Sequence, residues 1–215
     1  TAFRPRDVFR RSPGGEIAAM LQRDESEVQR NIENESQMKT EGPMSTGEIV
    51  NRDRIEGNDC FGCGHHNPAG LDIAIRLDPD NPERLVGDFT PAAHLTGFPG
   101  IVHGGILYAA LDCMAAWTPL TLRPEAKSIW ILRSAEMTYH RPAAPEAPIR
   151  LYAEIESENR PGRSIQVRAE ARDGEGNPLA EGVFKVVPLS PEKFRKVAGV
   201  EKMPENWARM IGVEP

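Results

Sequence analysis

Residues 104–117 constrain the fold most strongly, because this segment, GGILYAALDCMAAW, is apolar on nearly every face. A surface helix shows one apolar stripe, whereas a helix that is apolar all round is buried by its neighbours. The sequence therefore predicts one central helix that other elements cover. The segment falls short of the roughly 20 apolar residues that cross a bilayer, so we expect no membrane-spanning helix.

Segments of alternating polarity supply the cover for this helix. In residues 149–156 and 165–172 every second side chain is apolar, which is typical of antiparallel strands with one dry and one wet face. The predicted strands span 71–77, 84–89, 128–140, 149–156, 165–172 and 179–187. We expect an α+β fold in which a curved antiparallel sheet of five to six strands wraps around one long helix.

The length of 215 residues allows one core-forming domain with extensions. Residues 1–55 are a polar, partly helical arm, whose apolar helical stripe comprises Ile17, Leu21, Val28 and Ile32. Residues 56–190 form the predicted domain. Residues 191–215 are an extension with short helices.

Charge and cysteine content narrow the functional class. The chain has 26 Lys and Arg against 32 Asp and Glu, and its formal net charge of -6 does not favour binding to nucleic acid. The N-terminal residues lack the apolar stretch of a secretory signal, and three cysteines do not make a disulfide framework. We therefore expect a cytoplasmic protein with reduced thiols and without a nucleic-acid or membrane partner.

Asp112 is the candidate catalytic residue. It is the one charged residue of the apolar segment, and no Lys or Arg lies three or four residues from it. A buried carboxylate without a partner is costly, and burial raises its pKa toward the range useful for a general base. The alternative is a structural Asp that bonds to a loop backbone or to a residue of the sheet.

His103, Gly104 and Gly105 mark the start of the central helix. Free backbone amides and the positive end of the helix dipole can stabilise an oxyanion there, although a loop that only starts a helix fits the same residues. Nine steps separate His103 from Asp112. In a helix this spacing places them on opposite faces, about 13 Å apart. One site that uses both residues must therefore be shared by two copies of the chain across a twofold axis.

Three segments resemble the PaaI-like hotdog thioesterases. The stretch LTGFPGIVHGGILYAALDCMAAW, residues 95–117, resembles the family signature, in which a catalytic Asp follows the His of an HGG turn by nine residues. The head CFGCGHHNPAGL, residues 60–71, is similar to the opening of many bacterial members. MTYHRPA, residues 137–143, resembles the third strand of the family. The resemblance covers residues 60–187 and implies the hotdog fold.

The resemblance also implies an activity, namely hydrolysis of an acyl-CoA or acyl-carrier thioester without metal or cofactor. It implies a homodimer with shared active sites, or a tetramer of two such dimers. By the same resemblance Asp112 is the base or nucleophile, Gly104 or Gly105 donates the oxyanion amide, and His103 orients the thioester or the turn.

Three positions depart from the pattern of the family. Some relatives hold the attacking water with a Ser or Thr where this chain has Leu132, so Ser134, two residues on and expected on the same strand face, is the candidate. Gly97, a candidate substrate contact, replaces an Asn of some relatives, and Cys113 replaces a Glu. These departures keep open a second hypothesis, a non-catalytic acyl-CoA binding or sensing protein. A dehydratase on this fold is a third, but its active-site patterns are not evident.

Arginines are candidates for the phosphates of CoA, and Arg141, Arg160 and Arg163 lie at a strand end and a turn. Ordinary surface positions are the alternative for each of them.

The pair Cys60 and Cys63, with His65 and His66 nearby, suggests zinc, since C-x-x-C and histidine supply its preferred ligands. The sequence shows no matching second ligand pair. We therefore predict a structural head and no metal.

Overall fold

A computed structural model describes residues 47–160 and 163–214, apart from the side chains at 159 and 160. The described residues lie within one compact unit, residues 45–215. The apolar stripe predicted for the arm lies outside the described residues, and the segment boundaries at 55 and 190 stay predictions.

The described elements follow one another in an order that places one long helix among the strands. They are helix α1 (Val50–Asp53), strands β1 (Ala74–Leu77), β2 (Arg84–Phe89), β3 (Thr96–Phe98) and β4 (Ile101–Val102), helix α2 (Gly104–Leu122), strands β5 (Ile129–Tyr139), β6 (Ile149–Arg160), β7 (Ser164–Arg172) and β8 (Pro178–Leu189), and helices α3 (Pro191–Ala198) and α4 (Glu205–Met210).

Six strands form one antiparallel sheet in the order β1-β2-β6-β7-β8-β5, and β3 pairs with β4 in a separate hairpin. The alternation in β7 produces the expected two faces, because Ile165, Val167, Ala169 and Ala171 are all buried. The sheet packs on α2 mainly through β5, β6, β7 and β8. The predicted α+β hotdog architecture is thus confirmed.

The long helix α2 is less enclosed than its sequence suggests. Leu107, Leu111 and Met114 are buried in the core, whereas Asp112 and Cys113 on the other side are only half-buried. The expectation of burial on every side is therefore wrong for the single chain, because the sheet covers one side of the helix. The length and composition of α2 would also suffice to cross a membrane, contrary to expectation, although the core helix of a folded domain passes the same test.

The residues before β1 are held to the domain by one buried amide. The Asn51 side chain donates to the carbonyls of Cys63 (2.7 Å) and Ile73 (2.8 Å) and accepts from the Ile75 amide (2.9 Å). Val50 and Ile55 are fully buried in the same core. The head that carries Cys63 is therefore fixed to both α1 and β1.

Candidate active site

His103 caps the N-terminus of α2. Its backbone is extended (φ -62°, ψ 130°), and its Nδ1 accepts a hydrogen bond of 2.9 Å from the Gly105 amide. Because Nδ1 is the acceptor, the neutral ring carries its proton on Nε2. The exposed imidazole thus stabilises the helix end with one nitrogen and presents an N–H donor with the other.

The structure distinguishes the two glycines of the turn. The Gly105 amide is occupied by His103, whereas no residue of the described ranges accepts a hydrogen bond from the Gly104 amide. The Tyr139 hydroxyl donates to the Gly104 carbonyl at 3.2 Å and so contacts the next peptide, between Gly104 and Gly105. Gly104 is therefore the amide that remains available for an oxyanion, an assignment that the sequence left open between the two.

An open cleft of about 390 Å³ lies at this helix tip, between the β3–β4 hairpin and the end of β5. Its lining includes Gly97, His103, Gly104, Tyr139 and Arg141. A Cβ atom at position 97 would lie 3.2 Å from the His103 ring, so glycine lets the imidazole pack closely against the hairpin. The cleft thus brings two predicted substrate contacts, Gly97 and Arg141, to the helix tip.

The other side of the cleft is markedly apolar. Phe98 of the hairpin is 71% exposed and Tyr139 is 51% exposed, and Ile101 is exposed beside them. Exposed apolar side chains grouped around a cleft commonly mark a ligand or subunit contact. This end of the domain therefore combines an apolar surface, a free amide and one guanidinium group.

Asp112 has no ionic partner in the part of the chain that the structure describes. Its carboxylate takes part in no ion pair or hydrogen bond with the described side chains. Burial, and to a lesser degree the negative charge of Cys60, raise the pKa of this carboxyl above its usual value. The residue therefore has the environment expected of a functional carboxylate.

Within one chain, Asp112 and the helix tip do not meet. They lie nine residues apart on the same unbroken helix, which corresponds to about 13 Å. The structure therefore agrees with the separation of about 13 Å on which the hypothesis of a shared site depends.

The predicted role of Ser134 requires it to share a strand face with Leu132, and this premise is wrong. The register of β5 against β8 shifts between these two residues, so that Leu132 lies opposite Val186 whereas Ser134 lies opposite Lys185. Neighbouring residues of β8 point to opposite faces, and Val186 is fully buried. An extra residue in β5 therefore turns Ser134 to the outer face, where it is exposed.

The β6–β7 turn carries two of the predicted phosphate contacts, Arg160 and Arg163. Arg163 is exposed at the turn and does not line the cleft, and the Arg160 side chain lies outside the description. Of the two predicted phosphate contacts whose side chains the structure describes, Arg141 lines the cleft and Arg163 does not.

Sequence reasoning missed two features. Tyr139 contacts the helix tip, and its signal was present in the aromatic position of the MTYHRPA segment. Cys60, Cys63 and Cys113 form one cluster, with all three sulfur atoms within 4.8 Å of one another. The C-x-x-C pair was visible in the sequence, but only the fold shows that Cys113 joins it.

Comparison with known proteins finds similarity to one family model and to several solved structures. Residues 99–180 match the family model of the thioesterase superfamily. A thioesterase from Haemophilus influenzae has a similar fold, with a TM-score of 0.51 and 12% identity over 60% of this chain and 85% of that chain.

Two further solved structures are similar. The PaaI protein from the phenylacetic acid degradation operon of E. coli gives a TM-score of 0.48 and 16% identity over 56% of this chain and 81% of that chain. A hypothetical thioesterase from Streptococcus pneumoniae, solved with coenzyme A, gives a TM-score of 0.47 and 12% identity over 54% of this chain and 86% of that chain. No curated protein matches the chain.

The fold and the helix-tip site define a hotdog protein. Residues 99–180, more particularly, match the thioesterase superfamily, in agreement with the predicted resemblance to the PaaI-like hotdog thioesterases. This family supports thioester hydrolysis as the general class of reaction.

Proposed function

We propose that this protein hydrolyses acyl-CoA or acyl-carrier thioesters as a homodimer in which each active site is shared by two protomers. The observation that carries the proposal is Asp112, a half-buried carboxylate that has no counter-ion among the described residues and lies on the same helix as a free N-terminal amide. Such a charge is costly to keep, so a function is the simplest reason for it.

The proposed chemistry divides between the two ends of α2. Asp112 of one protomer either accepts a proton from the attacking water or attacks the thioester carbonyl carbon itself. The Gly104 amide of the other protomer donates to the carbonyl oxygen as negative charge develops on it. If Asp112 acts as a base, the C–S bond breaks and the thiolate takes up the proton that Asp112 accepted from water. If Asp112 acts as a nucleophile, cleavage of the C–S bond leaves an anhydride between the acyl group and Asp112; water then hydrolyses this anhydride, and its proton passes to the thiolate. In this proposal the Nε2–H group of His103 donates to the same carbonyl oxygen, since its Nδ1 is occupied by the Gly105 amide.

Two features of the surface support the dimer. The strand β5 is an edge of the sheet, and its eleven residues leave one row of backbone groups without a strand partner in the described part of the chain. The side of α2 that carries Asp112 is also only partly covered by the described part of the chain. A twofold axis that satisfies both would bring each Asp112 to the other helix tip, and two such dimers could form a tetramer.

The cleft fits the two chemical halves of the substrate. Its apolar side, with Phe98 and Ile101, suits an acyl chain or the alkyl part of pantetheine. Arg141 at its rim can pair with a phosphate of CoA.

Replacing Asp112 tests the proposal directly. We expect Asp112→Asn to lower kcat by at least about 10²-fold, because the amide can neither accept the proton nor attack. A panel of acyl-CoA thioesters is incubated with each variant, and released CoA is quantified by chromatography. Thiol reagents are avoided because Cys60 is exposed and would react with them.

Asp80→Asn is the matched control, since it removes the same charge from an exposed loop residue outside the cleft. Unchanged turnover in Asp112→Asn, with normal turnover in the control, would contradict the role of Asp112.

The outer-face position of Ser134 favours one alternative, a non-catalytic acyl-CoA binding or sensing protein, because this hydroxyl cannot hold the attacking water inside the sheet. Acyl-CoA that raises the melting temperature of the wild-type protein but releases no CoA would support binding without catalysis.

A further inference from the structure

The three cysteines of the chain converge at the start of the domain. The Cys60 and Cys113 sulfur atoms lie 3.8 Å apart, and the Cys63 sulfur lies within 4.8 Å of both. The residues come from two elements that are distant in sequence, the head before β1 and the middle of α2. All three are free thiols.

The spacing of the sulfur atoms matches a metal site. A zinc–sulfur bond of about 2.3 Å sets the edge of a tetrahedral site at about 3.8 Å between sulfur atoms. The separation of the Cys60 and Cys113 sulfur atoms equals this value. Rotation about the side-chain torsions can bring the Cys63 sulfur, which lies within 4.8 Å of both, to the same distance. Neither His65 nor His66 belongs to the cluster, so the ligand set differs from the one that the sequence suggests.

Two glycines allow the three thiols to meet. A Cβ atom at Gly62 would lie 2.3 Å from the Cys113 sulfur, so any larger residue would push the helix thiol away. A Cβ atom at Gly64 would lie 2.3 Å from the Cys60 amide nitrogen. The C-x-G-C-G sequence of the head is therefore required for the close approach.

Hydrogen bonds hold the head in this conformation. The Asn58 side chain accepts from the Cys60 amide at 3.1 Å and donates to the Cys63 carbonyl at 3.3 Å. The Gly64 amide donates to the Cys60 carbonyl at 2.9 Å, and the Trp117 indole N–H donates to the Cys63 sulfur at 3.2 Å. A site that is formed in advance in this way binds a ligand with little loss of conformational entropy.

We propose that Cys60, Cys63 and Cys113 bind one Zn²⁺ ion as three thiolates, with a fourth position open to solvent beside the exposed Cys60. A divalent ion balances two of the three thiolate charges, which suits a cluster close to the Asp112 carboxylate better than a monovalent ion does. The exposed side of Cys60 provides the entry path. The ion would fasten the head to α2 at the residue next to Asp112.

The protonation of the cluster is consistent with this site. Hydrogen bonds from the Cys113 and Cys63 side chains lower the pKa of the Cys60 thiol well below its usual value, and the other two thiols have raised pKa values. Binding of the ion would release the protons that remain on the three sulfur atoms.

Metal content tests the proposal without any measurement of activity. The full chain is purified under reducing conditions, and bound zinc is determined by mass spectrometry before and after dialysis against zinc. We expect about one zinc ion per chain, and replacement by Co²⁺ should give thiolate-to-metal absorption together with the visible bands of a tetrahedral ion. Cys113→Ser should lose most of the zinc, whereas His65→Gln and His66→Gln should keep it.

The cobalt spectrum of the wild-type protein tests the ligands even if a cysteine variant does not fold. Reduced wild-type protein that takes up less than about 0.1 zinc ion per chain would overturn the proposal. A cobalt spectrum without thiolate absorption, or loss of zinc in the histidine variants alone, would do the same. None of these outcomes bears on thioester hydrolysis, which is measured separately.

Discussion

At the scale of single residues, the candidate site depends on one backbone amide. His103 accepts from the Gly105 N–H, whereas the Gly104 N–H has no acceptor in the described ranges. Catalysis by such a donor depends on its position and not on a side chain.

Gly104 can be tested by removing only its N–H group. We expect Gly104→Pro to lower kcat by about 10²- to 10³-fold, the usual effect of losing one oxyanion donor. Proline is tolerated at the first position of a helix, and the φ and ψ of His103 (-62°, 130°) are allowed before proline, so the fold should persist. Turnover is measured on the best acyl-CoA, and circular dichroism checks the fold.

Gly104→Ala is the control for this substitution. It adds the same Cβ atom, 3.2 Å from the Tyr139 ring, but keeps the N–H group. A proline variant as active as the alanine variant would show that the Gly104 amide is not the donor.

Residue-level reasoning predicted these groups because they lie on one helix. Once the helix is recognised, the nine-residue spacing of His103 and Asp112 fixes the distance between them. In the structure His103 caps the helix, and the Asp112 carboxylate has no counter-ion among the described residues. The meeting of Cys60 with Cys113 could not be predicted in this way. The two cysteines are 53 residues apart, and only the packing of the head on α2 joins them.

At the scale of elements, the sequence predicted the strands better than their faces. The alternation in β7 indicated which side chains are buried, because regular strands have a period of two. In β5 the register shift between Leu132 and Ser134 breaks that period, and no residue type in this segment signals it. An irregularity of one residue is therefore enough to reverse the predicted orientation of a side chain.

The reversed orientation predicts that Ser134 is dispensable for catalysis. We expect Ser134→Ala to change kcat and KM by less than about twofold, since an exposed hydroxyl on the outer face of β5 is remote from the core side of the sheet. Steady-state kinetics on the same acyl-CoA measure this. Thr138→Ala, also exposed on β5, is the control. A selective loss of more than tenfold in Ser134→Ala would return this residue to the active site.

At the scale of the whole molecule, the two halves of the proposed site need a second copy of the chain. A helix cannot bend its own N-terminus back to its middle, and Asp112 lies about 13 Å from the helix tip. The free edge of β5 and the half-covered side of α2 are the surfaces on which a partner could supply the missing half.

Subunit mixing distinguishes a shared site from one contained in a single chain. Asp112→Asn and Gly104→Pro chains, each inactive alone, are unfolded together and refolded as an equal mixture. If sites are shared, one site of each mixed dimer contains both substitutions, and the other site contains the unchanged Asp112 of one chain and the unchanged Gly104 of the other. Random pairing makes about half of the dimers mixed, and each mixed dimer has one intact site out of two. About a quarter of wild-type activity should therefore return.

The same two variants, refolded separately and combined afterwards, are the control for residual activity. Size-exclusion chromatography with light scattering should show a mass of at least two chains for every sample. If each site lay within one chain, mixing would restore nothing, because every chain would carry its own defect. Recovery of activity therefore requires that the carboxylate of one protomer work with the amide of another.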